Sequence, residues 1–328
     1  MVTRLLILSF FTLAAAHAVA DPKGTVSALG GQPADSTLDS PSMLLVSSQA
    51  ASSSGRAGGL PFDTVFKGRD RFESLVAHAE PLKSLPIGER VAAVGRAMCG
   101  TPYKGFTLEI DNRIEAPSVN FTGLDCWTFF ETSLAFARML DEPRDQWTPQ
   151  TLLKYIELDR YRGGQCTGSY LSRLHYLEDW IRDNDRRGMI KDLTRELGGI
   201  SAPHAAEEMQ KGWRSYRYMR NNPDLRAGIV EMEARIARTP LYYIPKRNVP
   251  TIESGLRSGD IICICSHDAG LIGTSHVGLA YRTPDGVLHF MHASAPHNYG
   301  KVVVDVRLSD YLNHFHSDVG IMVARPLR

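Results

Sequence analysis

The stretch Phe121-Thr122-Gly123-Leu124-Asp125-Cys126-Trp127-Thr128-Phe129-Phe130 constrains this chain more than any other. A glycine turn delivers Asp125 and Cys126 to the head of an apolar run that continues through Leu134, Phe136, Ala137, Met139 and Leu140. At a period of about 3.6 residues the run is apolar on nearly every side, the pattern of a helix buried inside a core. The rest of the fold must wrap it. Cys126 falls in the first turn, where unpaired N–H groups and the helix dipole favour a thiolate over a thiol. A lone cysteine in an apolar segment is ordinarily an inert buried thiol. Its chemistry therefore depends on what the remaining chain brings to it.

Residues 1–20 have the form of a secretory signal: Arg4, an apolar core from Leu5 to Ala16, and Ala18-Val19-Ala20 before Asp21. That core is short for a bilayer span, and no later stretch is long and apolar enough. The expectation is an exported protein, periplasmic or secreted, without a membrane span. Residues 21–60, rich in Ser, Ala and Gly, cannot bury enough surface to offset ordering entropy and read as a flexible spacer. Residues 61–328 then form one large domain or a core with an insertion. A formal net charge of +1 without a basic run argues against nucleic acid as a partner. The five cysteines are Cys99, Cys126, Cys166, Cys263 and Cys265. An odd number leaves at least one thiol free if the others bridge; Cys126 is the candidate, and pairing among the rest stays open.

Residues 66–77 and 87–98 have amphipathic helical spacing, and Gly100-Thr101-Pro102-Tyr103-Lys104-Gly105 ends the second with a turn. In the middle of the chain, Leu171, Leu174, Leu177 and Ile181 share a helical face, and residues 185–239 read as a charged helical insertion or lid. Strands follow at 261–265, 275–281 and 287–292. Cys263 and Cys265 share one face of the first, as packing residues would. Thr283-Pro284-Asp285-Gly286 fits a three-residue hairpin loop, with glycine in the left-handed position. That register pairs Thr283 with Val287 and sets His276 diagonal to His292 on one face, at about 7–8 Å; a two-residue loop would put them on opposite faces. Gly278 beside His276 predicts the close approach of a partner helix. His289 and His292 have the spacing of a helical zinc pair, but in a strand positions three apart face opposite ways, and no His-Glu-x-x-His occurs. A metal site is not expected.

Gly100-Thr101-Pro102-Tyr103, a glycine-containing loop and then Asp125-Cys126 opening a helix resemble the NlpC-type peptidoglycan cysteine peptidases, a papain-related group. The form Gly123-Leu124-Asp125-Cys126-Trp127-Thr128-Phe129-Phe130-Glu131-Thr132 departs from their commoner Asp-Cys-Ser-Gly. It is similar instead to a specialised branch, long of unknown function, whose members are N-acetylmuramoyl-L-alanine amidases acting on muropeptides. The resemblance runs from about residue 91 to 325.

It implies an α+β fold of papain-like NlpC type, a helical half bearing Cys126 packed on an antiparallel sheet, with no cofactor. His276 matches the histidine of the family's His-Val-Gly pattern, and His292 matches its third polar residue, which orients the first histidine. Cys126 would be the nucleophile. Its backbone N–H and the Tyr103 hydroxyl would hold the oxyanion. Arg173 and His175, in an Arg-Leu-His-Tyr block that marks the branch, would bind substrate, as would Asp125. The substrate implied is a muropeptide or peptidoglycan fragment. Two other classes remain open: a γ-D-glutamyl-diamino acid endopeptidase, which usually has Ser where this chain has Trp127, and a non-catalytic glycan-binding module on the same scaffold.

Overall fold

The structure, a computed structural model, describes residues 56–57, 59–204, 206–268 and 270–327. The signal-like segment 1–20 and most of the spacer lie outside the described residues. The helical half contains α1 (Arg69–Ala77), α2 (Ile87–Ala97), α3 (Cys126–Met139), α4 (Pro149–Arg160) and α5 (Leu177–Arg186).

The buried helix α3 starts where it does because Asp125 caps it. The Thr128 N–H donates to Asp125 Oδ1 at 2.8 Å, and the Asp125 N–H donates to Thr128 Oγ1 at 3.0 Å. This reciprocal cap satisfies two donors that a buried helix end cannot leave to water. Every side chain from Thr128 to Met139 is buried. The charged ones are matched: Glu131 accepts from Arg160 Nε at 2.7 Å and from Trp180 Nε1 at 3.2 Å, and Arg138 pairs with Asp159. A charge inside a core survives only with such partners.

The sequence predicts one helix over residues 66–77, but Phe66–Lys67 instead pairs in parallel with Val119–Asn120, and α1 begins after Gly68. Gly68 is left-handed (φ +79°), and a Cβ there would come within 2.9 Å of Phe121 Cβ. Helical periodicity continued through a residue whose backbone turns away. The shared face of Leu171 to Ile181 likewise does not belong to one helix. Arg173 and Tyr176 are extended (ψ 144° and 135°), and α5 starts only at Leu177.

The sheet strands are β1 (Ile190–Asp192), β2 (Ile200–Ala202), β3 (Leu241–Pro245), β4 (Ile261–Asp268), β5 (Leu271–Arg282), β6 (Leu288–Ala293), β7 (Val302–Arg307) and β8 (Asp318–Pro326). They form an eight-stranded antiparallel sheet in the order β7-β6-β5-β4-β8-β3-β2, with β1 also pairing β8. The fold is thus mixed, with helices packed on an antiparallel sheet. Alternation decides its two faces. Ile261, Cys263, Cys265, Val277, Leu279 and Met291 join the helical core around α3. Ile262, Ile264, Ala280 and Phe290 pack instead under the helix Leu308–His314. All five cysteines are free thiols. Residues 185–239 are less helical than their spacing implies, since β1 and β2 join the main sheet before the helix Leu225–Ala237.

The β5–β6 hairpin takes the expected register. His289 pairs with Tyr281 and Phe290 with Ala280, and the Thr283 N–H donates to the Val287 carbonyl at 3.0 Å. Gly286 supplies the left-handed third loop residue (φ +85°). The role of Gly278 differs from expectation: the close neighbour is a strand and not a helix. A Cβ at Gly278 would meet Met291 O at 2.5 Å and His292 Cβ at 2.8 Å. Gly278→Ala should therefore push β6 away. The expected cost is about 1–3 kcal/mol in urea unfolding, together with a loss of activity larger than any change in secondary structure by circular dichroism.

Candidate functional site

A cavity of about 530 Å³ opens between the helical half and the sheet, and Cys126, His276 and His292 all line it. Cys126 reaches it from the first turn of α3, His276 from β5 and His292 from β6. The two histidines meet directly: His276 Nε2 lies 2.7 Å from His292 Nδ1. Their rings are held by neighbours on the same face. His292 stacks on Phe290 with centroids 4.7 Å apart, and Tyr311 lies 5.2 Å from His292 and 6.5 Å from His276.

The electrostatics of Cys126 reverse one expectation. Burial, then the Asp125 carboxylate, push its thiol up to about 12, although the N–H groups of Val277, Trp127 and Cys126 itself pull the other way. Desolvation outweighs the helix terminus, so at rest the group is a thiol. His276 is held well below the ordinary histidine range by burial and then by its neighbour His292, and burial lowers His292 as well. The resting site is therefore uncharged at sulfur and imidazole.

Tyr103 lines the cavity and is bridged to Leu124, just before the cap. Burial, followed by Cys126 and Asp125, raises its phenol, so its O–H remains a donor. Asp125 also borders the cavity, yet its oxygens serve Thr128 and, at 3.3 Å, the Thr107 hydroxyl. Arg173 and His175 are further along the wall. The Arg173 guanidinium is buried, donates to the Leu108 carbonyl at 3.1 Å and lies 4.7 Å from the Tyr170 ring. His175 packs on the same ring at 4.5 Å, with Nε2 2.8 Å from the Tyr170 carbonyl. Both residues thus hold Tyr170, whose own hydroxyl donates to Glu109 at 3.0 Å.

The sequence singled out neither Asp305 nor Tyr311. Asp305 Oδ2 lies 3.1 Å from His292 Nε2, and the carboxyl accepts from the Val306 N–H at 2.7 Å and from the Tyr299 hydroxyl at 3.4 Å. The one available signal was a carboxylate alone in the β-branched run Val302-Val303-Val304-Asp305-Val306. The segment Ser294 to Asn298, which closes one side of the cavity, carried none. Among the described residues no group of three or more His, Cys, Asp or Glu side chains is arranged to hold a metal ion, and no helix is long and apolar enough to cross a membrane.

Fold and site together define a mixed α/β protein in which one thiol and two contacting histidines share a cavity. The chain belongs to the AmiA-like, N-acetylmuramoyl-L-alanine amidase-like family, whose model matches residues 93–321. Among solved structures it is similar to an N-acetylmuramoyl-L-alanine amidase from Bacteroides uniformis ATCC 8492, at 29% identity and a TM-score of 0.66, covering 74% of this chain and 99% of that one. It is also similar to a Bacteroides fragilis protein provisionally called a xylanase, at 33% identity and a TM-score of 0.63, covering 71% and 99%. A Legionella pneumophila str. Philadelphia 1 protein shares the fold, at 21% identity and a TM-score of 0.60, covering 79% and 95%. None of the curated proteins matches the chain.

Proposed function

We propose that the protein is an exported cysteine-dependent N-acetylmuramoyl-L-alanine amidase of the NlpC-type, papain-related kind, acting on muropeptides. The observation that carries this reading is the His276–His292 contact of 2.7 Å in the cavity that Cys126 lines, in a chain of an amidase-like family. In the proposed reaction, His276 takes the proton of the Cys126 thiol as the sulfur bonds to the lactyl carbonyl carbon of muramic acid. His276 Nε2 is engaged by His292, so Nδ1 is the nitrogen left for that proton. The Cys126 N–H and the Tyr103 hydroxyl take the developing oxyanion. Collapse breaks the C–N bond, His276 returns the proton to the L-alanine amine, and water then hydrolyses the thioester.

An amide substrate suits this cavity better than a glycosidic bond. Glycosidases work with two carboxylates flanking the scissile bond; of the four lining this cavity, Glu109, Asp125, Glu208 and Asp318, Asp125 caps a helix, Glu109 accepts from Tyr170 and Asp318 accepts from the Ser266 hydroxyl. The endopeptidase reading needs an anionic pocket for a free L-alanine ammonium, and Asp125 is the acid nearest the nucleophile in sequence. Its engagement in the cap favours the amidase. Incubation with a disaccharide-tetrapeptide, followed by mass spectrometry, should release free disaccharide and intact tetrapeptide. Release of a dipeptide from free tetrapeptide, with the sugar-linked form untouched, would assign the endopeptidase instead. No turnover of either substrate would favour a binding module.

A further inference from the structure

The chain of contacts does not stop at His292. We propose that Asp305 is a positioning residue that, through His292, sets the tautomer of His276 and so completes a Cys-His-His-Asp relay; this rests on the reading of Cys126 and His276 as nucleophile and base. The argument follows the protons. Asp305 Oδ2 faces His292 Nε2 at 3.1 Å. A carboxylate can only accept there, so Nε2 carries the hydrogen. In a neutral imidazole the other nitrogen is then a lone pair. His292 Nδ1 must accept from His276 Nε2, 2.7 Å away. His276 then donates from Nε2 and presents a bare Nδ1, the form that a base for the thiol requires.

Without a fixed charge at the far end, the His276–His292 hydrogen bond could equally run the other way. His292 would then donate from Nδ1, and His276 would carry its hydrogen on Nδ1, where it cannot take a proton from sulfur. Asp305 breaks that symmetry. It is itself held in place: the Val306 N–H donates to its Oδ1 at 2.7 Å. His292 is buried and His276 half-buried, and burial and their neighbours keep both neutral. The Tyr299 hydroxyl, 3.4 Å from Oδ1, also ties the carboxylate to the residue that follows the cavity segment Ser294 to Asn298, which gives a rival role to exclude.

Asp305→Asn keeps shape while removing the obligate acceptor, since its amide can donate to Nε2 as well as accept. The expected result is a fall in kcat of about 10²-fold or more, with KM changed less than about threefold, at unchanged melting temperature. By ¹⁵N NMR of labelled protein, His292 should be protonated at Nε2 in the parent and lose that single state in Asp305→Asn. This readout needs no substrate. Failure of the parent to cut muropeptides would therefore overturn the assigned activity, and the tautomer measurement would still decide the relay. Tyr299→Phe should retain kcat within about threefold. The proposal is overturned if His292 in the parent is protonated at Nδ1, if Asp305→Asn keeps full kcat, or if Tyr299→Phe reproduces its loss.

Discussion

Cys126→Ala should lose at least about 10⁴-fold in amidase rate while keeping the parent's unfolding midpoint. The substitution is small, the position opens to the cavity, and the cap that starts α3 belongs to Asp125 and Thr128. Nothing in the core need move. Iodoacetamide should label Cys126 faster than Cys99, Cys166, Cys263 or Cys265, because of the five only Cys126 lines the cavity that His276 and His292 also line. Cys263 and Cys265 are fully buried, and burial raises their thiols further. Equal labelling of all five, or full activity of the alanine variant, would remove Cys126 as nucleophile. EDTA should leave the rate unchanged, since the proposed steps use only side chains and backbone; loss of activity restored by zinc would reopen a metal mechanism.

His276→Ala is the second large loss, expected at about 10³–10⁴-fold. A thiol pushed up to about 12 has a negligible thiolate population near neutrality unless a neighbour takes its proton. Removing the imidazole should expose that directly. Alkylation of Cys126 in the variant should rise about tenfold per pH unit with no plateau below pH ~9. In the parent, the sign of the pH dependence follows from the lowered His276: the free base is present above its depressed pKa. Its kcat/KM should hold from neutral pH to below about 6.5, where an ordinary histidine would already be half protonated, and fall only in more acid solution. A rate that halves near pH 7, or a variant whose alkylation levels off near neutrality, would contradict the neutral thiol–imidazole pair.

His292 should matter less than His276, since an orienting partner usually leaves more residual rate than a base. In this site the gap narrows, because His292 also carries the influence of Asp305 across to His276 through contacts of 2.7 and 3.1 Å.

Elements that depend on near neighbours in the chain are legible from residue order. The apolar run after Cys126 has the spacing of a buried helix and folds as one, with Asp125 and Thr128, three residues apart, capping its start. Pro284-Asp285-Gly286 specified a three-residue loop through glycine's positive φ, and that local choice propagated by parity to place His276 and His292 on one face. Tertiary structure alone decided what depends on residues distant along the chain. Whether Cys126 rests as thiol or thiolate turned on how much protein surrounds it, and burial overruled the helix terminus. That Arg173 and His175 both pack on the Tyr170 ring was set by folding and not by their spacing in the chain. Asp305 gained its partner only when β7 paired with β6 and carried it beside His292. Local periodicity encodes torsions and faces, whereas desolvation and long-range pairing arise only when separate segments meet.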